Sequence, residues 1–158
     1  MKNIYRWDNL NHPEIKALSE QGAIVIIPAG STEQHGLHLP VGTDKMISTF
    51  YAEEVARRLT QEYGKPAVVA PSVSIGNSYH HMSFPGTITL EPETYIAFML
   101  EFCKCIAAHG FKKIFILNGH GGNVAPTTSA LIKINEALGF PVFFGNAGVG
   151  NEKAVREI

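Results

Sequence analysis

Two cysteines in 158 residues, Cys103 and Cys105, are too few for a disulfide framework. Their spacing of two in a helical stretch points the thiols apart, which also excludes a zinc knuckle. Both are read as buried thiols. Charge is scarce as well: Asp, Glu, Lys and Arg make up 17% of the chain, with a formal net charge of -1 and a pI near 6.6. No basic field exists to draw nucleic acid or an anionic membrane surface, so neither is an expected partner. Long apolar runs are missing: none approaches the ~20 residues of a membrane span. The N-terminal stretch carries Asp8 and Glu14 where a secretory leader needs an apolar core. A cytoplasmic location is expected. Low-complexity tracts and repeats are absent too, and a 45% apolar composition is enough to bury a core. At this length one domain, residues 1–158, is the expectation.

What is present is an alternation. The continuously apolar runs AIVIIP (23–28), AVVAP (67–71), KIFILNG (113–119) and PVFFGN (141–146) read as strands covered on both faces. Stretches of helical period lie between them. Met46, Ile47, Phe50, Val55 and Leu59 fall on one face of a helix over about 44–62, and Ile96, Met99, Leu100, Cys103 and Ile106 do so over about 91–109. A third helix is expected over 124–138, closed by Gly139, and a short one over 12–20, entered through Asn11 with Pro13 in its first turn. The pattern predicts an α/β fold, a mainly parallel sheet flanked by helices on both faces. Residues 72–90 are too long and too rich in turn formers for a plain connection, and they are expected to cover a site.

In such sheets ligands bind where loops leave the carboxyl ends of the strands. Two polar segments do so, GSTEQHGLHLPVGTD (30–44) and NGHGGN (118–123). Carboxylates and imidazoles together suit a divalent metal, zinc or manganese. Glu33 and His35 are two apart, so in an extended segment both face one way. Asp44 stands just before a helix, where it could equally cap orphan amides. His38 is read as an ordinary loop histidine. The glycines of NGHGGN could cradle a phosphate, but the segment lacks a full GxGxxG or a P-loop lysine, which leaves a nucleotide-binding domain as a weaker reading.

The stretches PAGSTEQHGLHLPVGTD, HMSFPGTITL and ILNGHGGN, in that order, resemble the creatininase (creatinine amidohydrolase) family of metal-dependent hydrolases across residues 10–145. The resemblance implies a two-metal centre, zinc and/or manganese, that hydrolyses an amide or cyclic-amide C–N bond of a small molecule through a metal-activated water, in a homo-oligomer. By position, Glu33 would bind one metal and His35 the other, Asp44 would bridge them, and His120 would join Glu33. His81 would orient substrate or donate a proton, with Ser78, Gly121, Gly122 and Asn123 as further substrate contacts. Where the family's own creatininase has a glutamate two residues past the equivalent of His120, this chain has Gly122, and the later His-Ala-Gly and Glu-Thr-Ser segments are not in it. The expectation is a C-terminally short creatininase-like domain, with a truncated non-catalytic metal-binding or assembly module as the alternative.

Overall fold

The computed structural model describes residues 5–148. Helix α1 (His12–Glu20) leads into strand β1 (Ile24–Ala29), followed by α2 (Thr43–Gln61), β2 (Ala67–Val69), α3 (Pro92–Ala108), β3 (Ile114–Asn118), α4 (Val124–Leu138) and β4 (Phe143–Asn146). The strands form one parallel sheet in the order β2-β1-β3-β4. Each expected strand and helix is present within a few residues of its predicted bounds.

Alternation along the strands sorts the core into two layers. Val25, Ile27, Val68, Ile114 and Ile116 pack with Tyr95, Met99, Cys103 and Ile106 of α3 and with Ala130 and Ile134 of α4. Ile26, Ala67, Val69 and Leu117 point the other way, onto Ala52 and Ala56 of α2. Helices therefore cover both faces, as predicted. Ile27, Met99, Ile116 and Ile134 have no exposed surface, and burial of each such side chain stabilises the fold by about 1.5–3 kcal/mol. Helix α1 starts on a reciprocal cap: Asn11 Oδ1 accepts from the Glu14 amide at 3.1 Å, and the Asn11 amide donates back to Glu14 Oε2 at 2.7 Å.

Two expectations are corrected. Helix α2 does not bury its large apolar residues. Met46, Ile47, Phe50 and Val55 are exposed, and the buried row is Asp44, Ser48, Ala52 and Ala56. Spacing by four keeps that row on one face, and its small side chains let the helix lie close on β1 and β2, which large residues would prevent. The apolar side of α2 instead borders a groove of about 430 Å³ lined by Ile26, Val55, Leu59, Phe115 and Phe143. Of the two cysteines only Cys103 is buried, and burial pushes its thiol up to about 12; Cys105 is exposed.

Segment 72–90 turns back over the carboxyl end of β1. It is held there by the bridges Ala29–Val73 and Thr32–Ile88 and carries a 3₁₀ turn at Tyr79–His81. Among the described residues no helix is long and apolar enough to cross a membrane.

Candidate metal centre

The loops leaving β1 and β3 grip the start of α2 between them. A Cβ on Gly30 would stand 2.5 Å from the Lys45 amide nitrogen, and one on Gly119 would stand 2.8 Å from the Asp44 carbonyl oxygen. Neither loop tolerates a side chain here, and the close fit fixes where Asp44 emerges. Asp44 makes no side-chain cap to its own helix. Its carboxylate reaches sideways, Oδ1 to His35 Nε2 at 2.9 Å and Oδ2 to His120 Nδ1 at 2.9 Å, while Glu33 Oε1 lies 3.3 Å from His120 Nδ1. Glu33, Asp44 and His120 are each no more than 6% exposed. One ligand atom from each lies within 4.8 Å of the others.

Hydrogen bonds on the far side of each ring decide which nitrogen carries the proton. His120 Nε2 lies 3.0 Å from the Asn77 carbonyl oxygen, which can only accept, so Nε2–H donates and the lone pair of a neutral ring sits on Nδ1. His35 repeats the device in reverse: Nδ1–H donates to the Glu33 carbonyl oxygen at 3.2 Å and Nε2 carries the lone pair. The inner nitrogens then lie against the Asp44 carboxylate, that of His35 in line with Oδ1 and that of His120 beside Oδ2. Two acceptors in contact repel unless a proton or a cation lies between them. Glu33 Oε2 and Asp44 Oδ2 are buried without a hydrogen-bond partner; Oδ2 is near His120 Nδ1 but out of line for a bond. Burial favours the neutral form of His120, but the adjacent Asp44 carboxylate, the Asn77 carbonyl and the charge of Glu33 outweigh it and hold its pKa above the usual imidazole value. Imidazoles whose outer N–H groups are tied to backbone carbonyls, facing bare carboxylate oxygens, are the donor set a zinc or manganese ion requires.

The other expected residues take several places. His81 is half-buried, with Nε2 3.8 Å from Glu33 Oε1, and Glu33, His80 and His81 form a second group of metal-ligating type. The Ser78 hydroxyl is buried between Ser31 Oγ and His120 Nε2. Asn123 is fully buried, its Oδ1 accepting from the Asn77 amide at 2.9 Å and its Nδ2 donating to the Gly30 carbonyl at 3.0 Å. Both were expected against substrate, and both side chains are spent on holding loops together. Gly121 is exposed, Gly122 partly so, and His38 lies on the surface. Sequence reasoning passed over Asn77 and Asn118, which fix His120 from outside. The Asn118 side chain bonds both the amide and the carbonyl of His120, at 3.2 and 2.7 Å. A strand ending in a buried asparagine was the available signal.

Gly122 lies in a crowded place. A Cβ here would run into the Asn77 carbonyl oxygen and His120 Nε2 and would stand 3.1 Å from His80 Cε1. The substitution Gly122→Glu is therefore expected to cost about 1–3 kcal/mol by overpacking and to weaken metal binding, because it displaces the carbonyl that orients His120. Thermal melting with and without zinc checks this; a melting temperature at or above wild type, with a larger zinc increment, would show that a carboxylate is accepted.

The family described as Creatininase, creatinine amidohydrolase, matches residues 8–156. The chain is similar to the mycofactocin precursor peptide peptidase of Mycobacterium tuberculosis, 40% identical over 111 residues that make up 68% of this chain and 44% of that protein. It is also similar to the 3-dehydro-scyllo-inosose hydrolase of Thermotoga maritima, 35% identical over 68% of this chain and 33% of that protein, and to the creatinine amidohydrolase of Pseudomonas putida, 29% identical over 63% and 38%. The matched region thus spans less than half the length of these relatives. Among solved structures, Creatininase Mn superposes with a TM-score of 0.86 at 22% identity, covering 97% of this chain and 63% of that one. A Zn-Zn type creatininase mutant superposes at 0.80 and 21%, covering 97% and 62%. With the parallel sheet and the family match extending over nearly all of its length, the chain belongs to the creatininase family.

Proposed function

We propose that the protein is a divalent-metal-dependent amidohydrolase that adds water across a C–N bond of a small molecule. The observation that carries this reading is the convergence of His35 Nε2 and His120 Nδ1 on the buried Asp44 and Glu33 carboxylates, with the far nitrogen of each ring tied to a backbone carbonyl. Glu33, His120 and Asp44 would hold one ion, and Asp44 and His35 a second, so that Asp44 serves both. When bound, such ions supply Lewis acidity, lowering the pKa of water and polarising a carbonyl. The chain's own contribution is positional. Asn77 and the Glu33 backbone orient the two imidazoles, Ser78 and Asn123 hold the loops, and segment 72–90 brings His81 over the site. Exposed Gly121 and the partly exposed Gly122 offer backbone that a substrate can approach. The names of a peptidase and a creatinine amidohydrolase among the relatives favour a C–N bond.

A second reading, metal binding without turnover, is favoured by Gly122, whose crowded surroundings leave no room for a further carboxylate there. Both readings are tested by measuring metal content after growth with zinc and manganese, then screening cyclic amides and short peptides for hydrolysis with and without chelator. Close to two ions per chain and chelator-sensitive hydrolysis are expected. Bound ions without hydrolysis of any substrate would favour the second reading, and absence of bound metal would overturn both.

A further inference from the structure

Three histidines stand at the centre with their outer nitrogens engaged, and one differs from the others. His35 and His120 each meet a backbone carbonyl, which takes an N–H. His81 Nδ1 meets the side-chain amide nitrogen of Gln34 at 3.2 Å, which is a donor. The amide cannot be turned round without loss, because Gln34 Oε1 already accepts from the Gly36 backbone N–H at 2.8 Å. With Oε1 so held, Nε2 is left to donate to His81 Nδ1. The proton of the neutral His81 ring then sits on Nε2, the nitrogen 3.8 Å from Glu33 Oε1.

We propose that Gln34 is a positioning residue that fixes the tautomer of His81, so that His81 presents an N–H to the centre and serves as a hydrogen-bond donor to substrate, not as a metal ligand. This separates His81 from the group it forms with Glu33 and His80, because a ligating nitrogen needs its lone pair and the inward nitrogen of His81 carries hydrogen. It also separates two roles for the ring. A neutral imidazole that gave up Nε2–H would become an imidazolate, and a second proton on Nδ1 would point into the Gln34 amide. The ring is therefore arranged to hold a carbonyl oxygen by a hydrogen bond that strengthens as charge develops there, and the proton for a departing nitrogen comes from elsewhere, the added water being a sufficient source. The substrate role rests on the hydrolase reading above; the tautomer does not.

The test is long-range proton–nitrogen NMR on full-length protein carrying ring-labelled histidine, with His81→Asn to identify its signals, before and after addition of Zn²⁺ alone. The expected result is the Nε2–H pattern for His81, the same tautomer as His120 and opposite to that of His35, and no zinc-induced shift of the His81 nitrogens to the ligand range. In Gln34→Glu the carboxylate accepts from Nδ1–H and the His81 pattern reverses, while Gln34→Leu leaves a mixture of tautomers. Wild-type His81 with its proton on Nδ1, a Gln34→Glu spectrum unchanged from wild type, or a zinc shift on His81 equal to that on His120 would overturn the proposal. If zinc moved none of the three rings, the metal reading would fall and the Gln34–His81 tautomer would stand.

Discussion

Asp44→Asn is expected to remove nearly all of the stabilisation that metal gives the protein. An ion at 100 times its dissociation constant stabilises a folded chain by about 2.7 kcal/mol. Among the described residues Asp44 is the one carboxylate in contact with both His35 and His120, at 2.9 Å each. Altering even a group that only supports a ligand lowers metal affinity about 10–100-fold, so replacing this one is expected to do at least as much. At the upper figure the increment falls to about 0.4 kcal/mol at the same metal concentration. The chelated protein should change by less than about 1 kcal/mol, because the asparagine is isosteric and its N–H can meet one of the facing lone pairs while the buried negative charge beside Glu33 is lost. Melting in EDTA and in zinc separates these contributions. Equal zinc increments in the variant and the wild type would mean that the ion binds elsewhere.

Asn123→Ala is expected to cost stability with no metal present. It removes the acceptor of the Asn77 amide and the donor to the Gly30 carbonyl in one step, and the Asn123 side chain is fully buried. Each unpaired group costs about 1–3 kcal/mol, so a loss of about 2–6 kcal/mol is expected from urea unfolding in EDTA, seen as a lower midpoint at unchanged slope. Metal affinity should fall as well, about 10–100-fold, since Asn77 carries the carbonyl that orients His120. Asn123→Asp keeps the acceptor and loses the donor, and should fall between the two. Chelated stability equal to wild type in the alanine variant would show that the three loops are held together by something else.

The strands were legible because a sheet covered on both faces writes continuous apolar runs, and AIVIIP and KIFILNG have no other economical reading. The place of the candidate cluster followed from the same topology, since its polar residues gather where β1 and β3 end. The α2 face was misread for a physical reason. Periodicity registers large apolar side chains, whereas the contact that matters there is made by Ser48, Ala52 and Ala56, whose value lies in being small. Ser78 and Asn123 looked like substrate contacts because a polar residue beside glycines reads as exposed; nothing in the local sequence says that both will be closed over by a loop. Gln34 and Asn77 were invisible for another reason. They act on which ring nitrogen carries a proton, and that depends on the direction of a carbonyl or an amide.

The buried row on α2 runs from Ala56 through Ala52 and Ser48 to Asp44, and this makes the helix a rigid lever with a carboxylate at its tip. Any side chain that lifts the row off the sheet also carries Asp44 away from His35 and His120. Two alanines with no polar chemistry are thus bound by the tolerance of the proposed metal ligand. For laboratory evolution of this chain, the positions to hold constant extend down the helix to Ala52 and Ala56, and a library that protects only the histidines and carboxylates would lose function through methyl groups several turns away.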